Sequence, residues 1–307
     1  MKIQRQNSLS ADVGFWQRQV RRFALNEDLN FLLTNRVPRI ALTHFMGWFS
    51  RIRQPLVRDV SMAVWKTFTD LDLSDARKER FDSLHDCFTR ELRDGARPVD
   101  PDPGVIVSPC DAIVGMCGTI GAEDAQVFQA KGFPYTLRDL VGDSPRSREA
   151  IQRLRGGAYV TLRLTSAMYH RFHAPDALRL DHVTHFSGDT WNVNPIALAR
   201  VQKLFCRNER AALHCQLDDG TPLLLVPVAA ILVASLRLNA LPRPLNTRYR
   251  GPDEIPCAVR CARGEEMGRF EHGSTILVFA PPGFDLAVAS GQTLRMGQPL
   301  LRRQARP

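Results

Sequence analysis

Near residue 100 the apolar pattern of this chain changes period, and the change separates what its two parts can build. From Asp12 to about Arg93, residues such as Val20, Phe23 and Ala24, and later Leu56, Val60, Ala63 and Val64, recur at spacings of three and four, the period of amphipathic helices. Pro38 and Pro55 are expected to break or open those helices, because proline is disfavoured inside one. The stretches Gly95-Ala96-Arg97-Pro98 and Asp100-Pro101-Asp102-Pro103-Gly104 concentrate turn formers, and the boundary belongs there. Beyond it come short apolar runs, several rich in β-branched residues: Val105 to Val107, Ala158 to Leu162, Leu223 to Val226, Ala230 to Ser235 and Thr275 to Phe279. The last part, Ser290 to Leu300, alternates turns with apolar positions as small barrel or sandwich strands do. The expected fold class is α+β, with amphipathic helices over residues 1–95 and a strand-rich, barrel- or sandwich-like body over 96–307 in which helices are insertions. No regular repeat of 20 to 50 residues is present.

Charge follows the same division. Of a net +9, residues 1–66 carry most, with eleven Lys or Arg against four acids. The same segment holds Phe15, Trp16, Phe23, Phe31, Phe45, Trp48, Phe49 and Trp65. Cations beside interfacial aromatic rings suit an anionic membrane surface; nucleic acid and a plain solvated face are the competing readings. No segment reads as a signal peptide, since Arg5, Asp12, Arg18, Arg21 and Arg22 interrupt any apolar region near the start. The longest uncharged run, Gly220 to Leu236, has 17 residues and includes Pro222 and Pro227, which fits buried strands better than a membrane span. Seven cysteines without a C-x-x-C pair fit reduced thiols in a cytosolic setting.

Four places can carry chemistry. Asp111, in Ser108-Pro109-Cys110-Asp111, follows a strand and a turn, where an acid is usually a cap or a solvated loop residue. In Tyr169-His170-Arg171-Phe172-His173-Ala174-Pro175 the following proline favours an extended segment, in which positions three apart face opposite ways, so His170 and His173 are poorly placed to share a metal. A second pair, His182 and His185, suggests a four-histidine zinc site, but no carboxylate-rich helix accompanies it and no metal is expected. The stretches Phe186 to Pro195 and Leu204 to Arg210 hold Asn and Arg side chains that either contact an anionic substrate or tie loops together. Finally, Gly273-Ser274-Thr275 enters an apolar strand, which taken alone is a plain turn.

In order and with their flanks, these stretches resemble the bacterial phosphatidylserine decarboxylases. The matching segments are Phe88 to Pro98, Ser108 to Asp111, Gln129 to Gly132 with Tyr135 to Leu137 and Leu140 to Gly142, Tyr169 to Pro175, Val193 to Pro195, Leu204 to Arg210, Gly264 to Phe270 and Gly273 to Thr275, from about residue 81 to 300. The resemblance implies a self-processing enzyme in which Ser274 attacks the carbonyl of Gly273, with His173 as base and Asp111 as its orienter. A hydroxyl needs such a base, and the base needs an acid to hold its tautomer. An acyl shift, elimination and hydrolysis then leave a pyruvoyl group at position 274, the covalent cofactor. It forms a Schiff base with phosphatidylserine and takes up electrons as CO2 leaves, giving phosphatidylethanolamine. His170 is implied in that second half, assisting Schiff-base formation or protonating the carbanion.

The implied assembly is a heterodimer of the two cleavage products, alone or within a higher homo-oligomer, peripheral on the cytoplasmic face of the cell membrane, with no nucleic-acid partner. Region 1–95 would associate with the membrane and 96–307 would be catalytic. Two departures stand out: Ala112 where the family usually has Gly, and His272 where an apolar residue commonly precedes Gly-Ser-Thr. The alternatives are a pyruvoyl-dependent decarboxylase of another amine-bearing carboxylate and an unprocessed scaffold at the membrane surface. A Ser-His-Asp hydrolase is disfavoured by the absence of a G-x-S-x-G elbow.

Overall fold

The computed structural model describes Asp28, Phe31 and residues 37–232, 235–271 and 274–304. The described chain opens with three helices, α1 (Arg39–Phe49), α2 (Pro55–Phe68) and α3 (Leu84–Phe88). The two prolines start helices. Pro38 is the cap residue of α1, and Pro55 is the first residue of α2, where its missing N–H costs nothing and the Gln54 side chain accepts from Val57 N at 2.8 Å. Helical periodicity overreached between Thr69 and Ser83, a stretch of turns and irregular chain.

After Gly104 the chain is mostly strand: β1 (Val105–Val107), β2 (Ala112–Thr119), the hairpin β3 (Gln126–Ala130) and β4 (Phe133–Thr136), then α4 (Leu137–Val141), α5 (Pro145–Leu154), β5 (Ala158–Leu164), β6 (Arg171–His173) and β7 (Leu178–Phe186). Next come α6 (Pro195–Leu198), α7 (Leu204–Arg207), β8 (Arg210–Leu217), β9 (Pro222–Ala229), β10 (Ser235–Leu238), β11 (Leu245–Asn246) and β12 (Glu254–Cys261). The chain finishes with β13 (Glu266–Phe270), β14 (Ser274–Ala280), β15 (Phe284–Leu286), β16 (Thr293–Leu294) and β17 (Pro299–Arg303).

An eight-stranded antiparallel sheet in the order β12-β7-β8-β9-β14-β5-β2-β16 forms the body; it is open, ending at β12 and β16, so the architecture is layered and not a closed barrel. Both faces of its central strands β8, β9, β14 and β5 are buried. Along β14, Ile276 and Val278 enter one core with Val160, Leu162, Leu213 and Leu225, while Leu277 and Phe279 enter a second with Tyr159, Ala212, Leu224 and Val226. The first core is closed by a four-stranded sheet, β11-β10-β13-β6, whose Leu236, Phe270 and Phe172 belong to it. The second is closed by α4 to α7 through Leu140, Ile151, Leu198 and Phe205. A strand buried on both faces has no polar side to alternate with, so it reads as an unbroken apolar run. One such run fails as a strand: Ala230, Ile231 and Leu232 lie outside any strand, with Leu232 turning the chain at φ +76°, and Ser235 begins β10.

Histidines within the layers make stability depend on pH. His214, on β8, is brought down to about 4 by burial, then by His182 and Arg146. Its neutral form is therefore favoured by folding. The contribution is complete above the ordinary value of 6.5 and is lost as pH falls toward 4, at a cost of about 3 kcal/mol. Denaturant midpoints taken between pH 7 and 4.5 should fall steeply for the native protein and less steeply for His214→Gln. Equal slopes would mean that the acid sensitivity lies elsewhere.

Candidate active site

Ser274 begins β14 at one end of the large sheet, directly opposite Leu164 of β5 and Ala229 of β9. Side chains alternate along a strand, so Ser274 shares the face of Ile276 and Val278, the face covered by the small sheet that carries the histidine motif. Its Oγ is fully buried and has no hydrogen-bond partner among the described residues. A buried hydroxyl left unbonded costs about 1 to 3 kcal/mol and needs a reason. Gly273 and His272 lie outside the described residues.

His173 ends β6 and is held by backbone on both sides: its N–H donates to Pro109 O at 2.8 Å, and Ala174 N–H donates to Glu265 O at 2.8 Å. The first of these bonds ties the Ser108–Asp111 loop to the histidine motif. Around the ring, Nδ1 is 2.9 Å from Gly264 O and Nε2 is 3.0 Å from the Tyr169 hydroxyl. A carbonyl only accepts, so the proton sits on Nδ1 and Nε2 receives the Tyr169 O–H. Gly264 occupies the left-handed region at φ +79°, a turn open to glycine at little strain, and this turn aims its carbonyl at the ring. Burial lowers the His173 pKa, the bond to Gly264 and the charge of Glu266 oppose it, and Asp111 adds a smaller upward pull.

Asp111 is not bonded to His173. Its carboxylate accepts a two-pronged contact from Arg97, Nε to Oδ1 at 2.9 Å and Nη2 to Oδ2 at 2.7 Å, and Oδ1 also accepts Met296 N–H at 2.9 Å. The forked guanidinium matches a carboxylate far better than a single imidazole N–H does, which is why Arg97 takes the acid and Gly264 orients the base. Arg97 is steadied in turn by Asp75, 2.8 Å from its Nη1. Asp111 reaches His173 through its charge alone.

His170 is fully buried, with Nδ1 2.8 Å from Met168 O and its ring centroid 3.9 Å from that of Phe88 in α3. Phe270 N–H donates to its carbonyl at 3.0 Å, so the motif's first histidine is fixed to the strand that leads toward Ser274. A cleft of about 520 Å³ opens beside these groups, lined by Asp111, Tyr169, Met168, Arg90, Arg97 and Arg295. His182 and His185 lie elsewhere. Three apart on β7, they pair separately, His182 with Glu254 and His185 with Glu209 at 3.2 Å, and no group of ligands arranged for a metal is present among the described residues. Arg210 and Asn208 bond mainly backbone carbonyls and so act as loop ties, as with Arg210 Nε to Leu140 O at 2.6 Å and Asn208 Nδ2 to Ala229 O at 2.9 Å.

A family model described as phosphatidylserine decarboxylase matches residues 84–302, the stretch that contains Asp111, His170, His173 and Ser274. The chain belongs to the phosphatidylserine decarboxylase family. Its relatives include proteins named phosphatidylserine decarboxylase proenzyme from Pseudomonas fluorescens, 37% identical over 277 residues (86% of this chain, 93% of the relative), and from Methylococcus capsulatus, 33% identical over 285 residues (90% and 95%). A third, from Methylibium petroleiphilum, is 35% identical over 287 residues (89% and 97%). The chain is thus an enzyme, a decarboxylase.

Within this decarboxylase the sequence left three site contributors unassigned: Arg97, Tyr169 and the Gly264 carbonyl. Each stands inside a segment that resembles the family; the partner lies 14 residues away for Arg97 and Asp111 and 91 for His173 and Gly264, but only four for Tyr169 and His173.

Proposed function

We propose that the chain cleaves itself between Gly273 and Ser274, and that the protein so formed decarboxylates phosphatidylserine to phosphatidylethanolamine at a membrane surface, its catalytic domain being residues 96–307. The observation that carries the reading is the buried Ser274 hydroxyl, unbonded among the described residues, which begins a central strand on the sheet face covered by the layer bearing His170 and His173.

For cleavage, the Tyr169 hydroxyl turns away from His173 Nε2, which then accepts the proton of Ser274 Oγ as that oxygen attacks the Gly273 carbonyl; the amide C–N bond breaks as the imidazolium gives the proton to the departing nitrogen, elimination of the resulting ester frees the Gly273 carboxylate, and water displaces the nitrogen as ammonia. The Gly264 carbonyl keeps the Nδ1 proton in place, and the nearby Asp111 carboxylate favours the imidazolium through its charge. The position fits a pyruvoyl group, since Ser274 Oγ, which would leave with the Gly273 carboxylate, makes no hydrogen bond among the described residues whose loss would disturb its neighbours. Such a group supplies a carbonyl that accepts the substrate amine and takes up the electron pair left as CO2 departs. His170, with its Nδ1 proton committed to Met168 O, offers Nε2 to move a proton in that second reaction.

Cleavage would not release the short product. Its first strand, β14, lies between β5 and β9, while β16 and β17 pair with β2 and β1, all from the long product. The two products therefore stay together as a heterodimer.

A peripheral membrane location is supported by the apolar residues that α1 and α2 leave outside. Leu56, Val60, Val64 and Phe68 follow one another at four-residue spacing on α2, 49 to 68% exposed, and Phe45 and Trp48 project from α1. Among the described residues no helix is long and apolar enough to cross a membrane. Trp65 serves otherwise, stacking on Phe88 at 6.1 Å, and Phe15, Trp16 and Phe23 lie outside the described residues. All seven cysteines are free, which suits the cytoplasmic face.

Anionic vesicles containing phosphatidylserine, incubated with the purified protein, should yield CO2 and phosphatidylethanolamine. Turnover of soluble amino acids alone would remove the lipid assignment.

A further inference from the structure

The outer face of the four-stranded sheet carries arginines directly opposite one another. The β10–β13 register pairs Arg237 with Arg269, and the β13–β6 register pairs Arg269 with Arg171. Their neighbours Leu236, Phe270 and Phe172 point the other way, into the core. Opposed side chains in an antiparallel pair lie about 5 Å apart at Cβ, and like charges there repel. Arg171 is neutralised, since it bonds Glu266 at 2.9 Å and the Thr89 carbonyl at 2.9 Å. Two further acids near the row are engaged: Glu91 lies 3.4 Å from Arg171, and Glu271 is held by Arg51 at 2.9 Å. Arg237 and Arg269 make no ion pair or side-chain hydrogen bond among the described residues, and Nε of Arg269 is buried without a partner. Burial and the two flanking guanidiniums press the Arg269 pKa down.

A sheet that sets two unpaired guanidiniums side by side carries a cost in the free protein that a bound anion would remove. The row also continues into the aromatic face of α1. Arg51 follows that helix and bridges to Glu271, and a cavity of about 420 Å³ joins Trp48 and Arg51 to Ser235 and Arg248. Cations and an exposed indole on one continuous surface match the head-group layer of an anionic bilayer, in which phosphates meet the arginines while the ring sits at the interface.

We infer that Arg237 and Arg269 form an anionic-phospholipid contact that seats this side of the enzyme on the bilayer. The inference rests on the membrane-surface reading proposed above and adds to it the sheet face that meets the lipid.

Sedimentation with vesicles of phosphatidylcholine and phosphatidylglycerol, free of substrate, tests it with the whole chain. Each arginine near an anionic surface contributes about 5-fold in affinity, so Arg237→Gln should bind about 5-fold and Arg237→Gln/Arg269→Gln about 25-fold more weakly than the native protein. The differences should vanish on pure phosphatidylcholine and at high salt. The same double variant should unfold about 1 to 3 °C higher in the absence of lipid, because a like-charge pair has been removed. A structural role for the arginines would give the reverse. Native protein that ignores anionic vesicles would overturn both the membrane reading and this contact. Native protein that binds while the variants bind equally well would overturn the contact alone. Release from vesicles by millimolar inorganic phosphate, but not by chloride of equal ionic strength, would reassign the pair to a free anion.

Discussion

Ser274→Ala should remain a single chain of 307 residues, whereas the native protein should yield a long fragment and a short one of residues 274–307, 34 in number, with a blocked, ketone-bearing first residue. Intact-mass spectrometry reads both outcomes. The expected loss of cleavage is complete because no other hydroxyl occupies that bond, and decarboxylation should fall to background with it. The substitution is also unusually clean. Ser274 Oγ is buried and bonds nothing among the described residues, so its removal breaks no hydrogen bond to any of them and deletes a desolvated polar group; the variant should be as stable as the native protein or slightly more so. Failure to cleave would then be a chemical result and not a folding one. A native short fragment that begins with an ordinary amine would refute the proposed cofactor.

The same measurement followed over time gives the base. Neutral His173 is the competent form, and burial holds its pKa below the ordinary 6.5. Cleavage should accordingly be independent of pH above 6.5 and slow only as the pH falls below it, with a midpoint on the acid side of that value. A midpoint well above 6.5 would point to a different proton acceptor.

How far the sequence could be read follows from where each signal resides. The strand at Thr275 to Phe279 was legible because both faces of β14 are buried and the apolar run is unbroken. Pro38 and Pro55 were legible because the proline ring acts on its own backbone, whatever surrounds it. Ala230 to Ser235 was misread as one strand because nothing local announces a left-handed Leu232, a conformation that a β-branched or bulky side chain adopts only under tertiary constraint. The candidate residues Asp111, His170, His173 and Ser274 came from motif order, and the structure sets their environments without joining them all. Asp111, expected as the orienter of His173, is held by the fork of Arg97 from 14 residues away, while the His173 tautomer is fixed by a carbonyl 91 residues away. Contacts of that separation leave no trace in periodicity or spacing.

Arg97→Met should cost about 3 to 5 kcal/mol and lower the unfolding midpoint by about 10 °C, because it leaves the Asp111 carboxylate buried with only the Met296 N–H for company. Both side chains of the pair are only 9% exposed, so solvent has little opportunity to compensate. Asp111→Leu in the Arg97→Met background should recover much of the loss, since a buried pair replaced on both sides by apolar groups is close to neutral, whereas either partner left alone is not. Self-cleavage separates the roles that stability conflates. If Asp111 assists His173 through its charge, the recovered double variant folds and still cleaves slowly, with the midpoint of its pH profile displaced further to the acid side, because a carboxylate that favoured the imidazolium has gone. If Asp111 serves only to anchor Met296 and the strands beyond it, the stabilised double variant regains the native rate and profile, and the electrostatic role is lost.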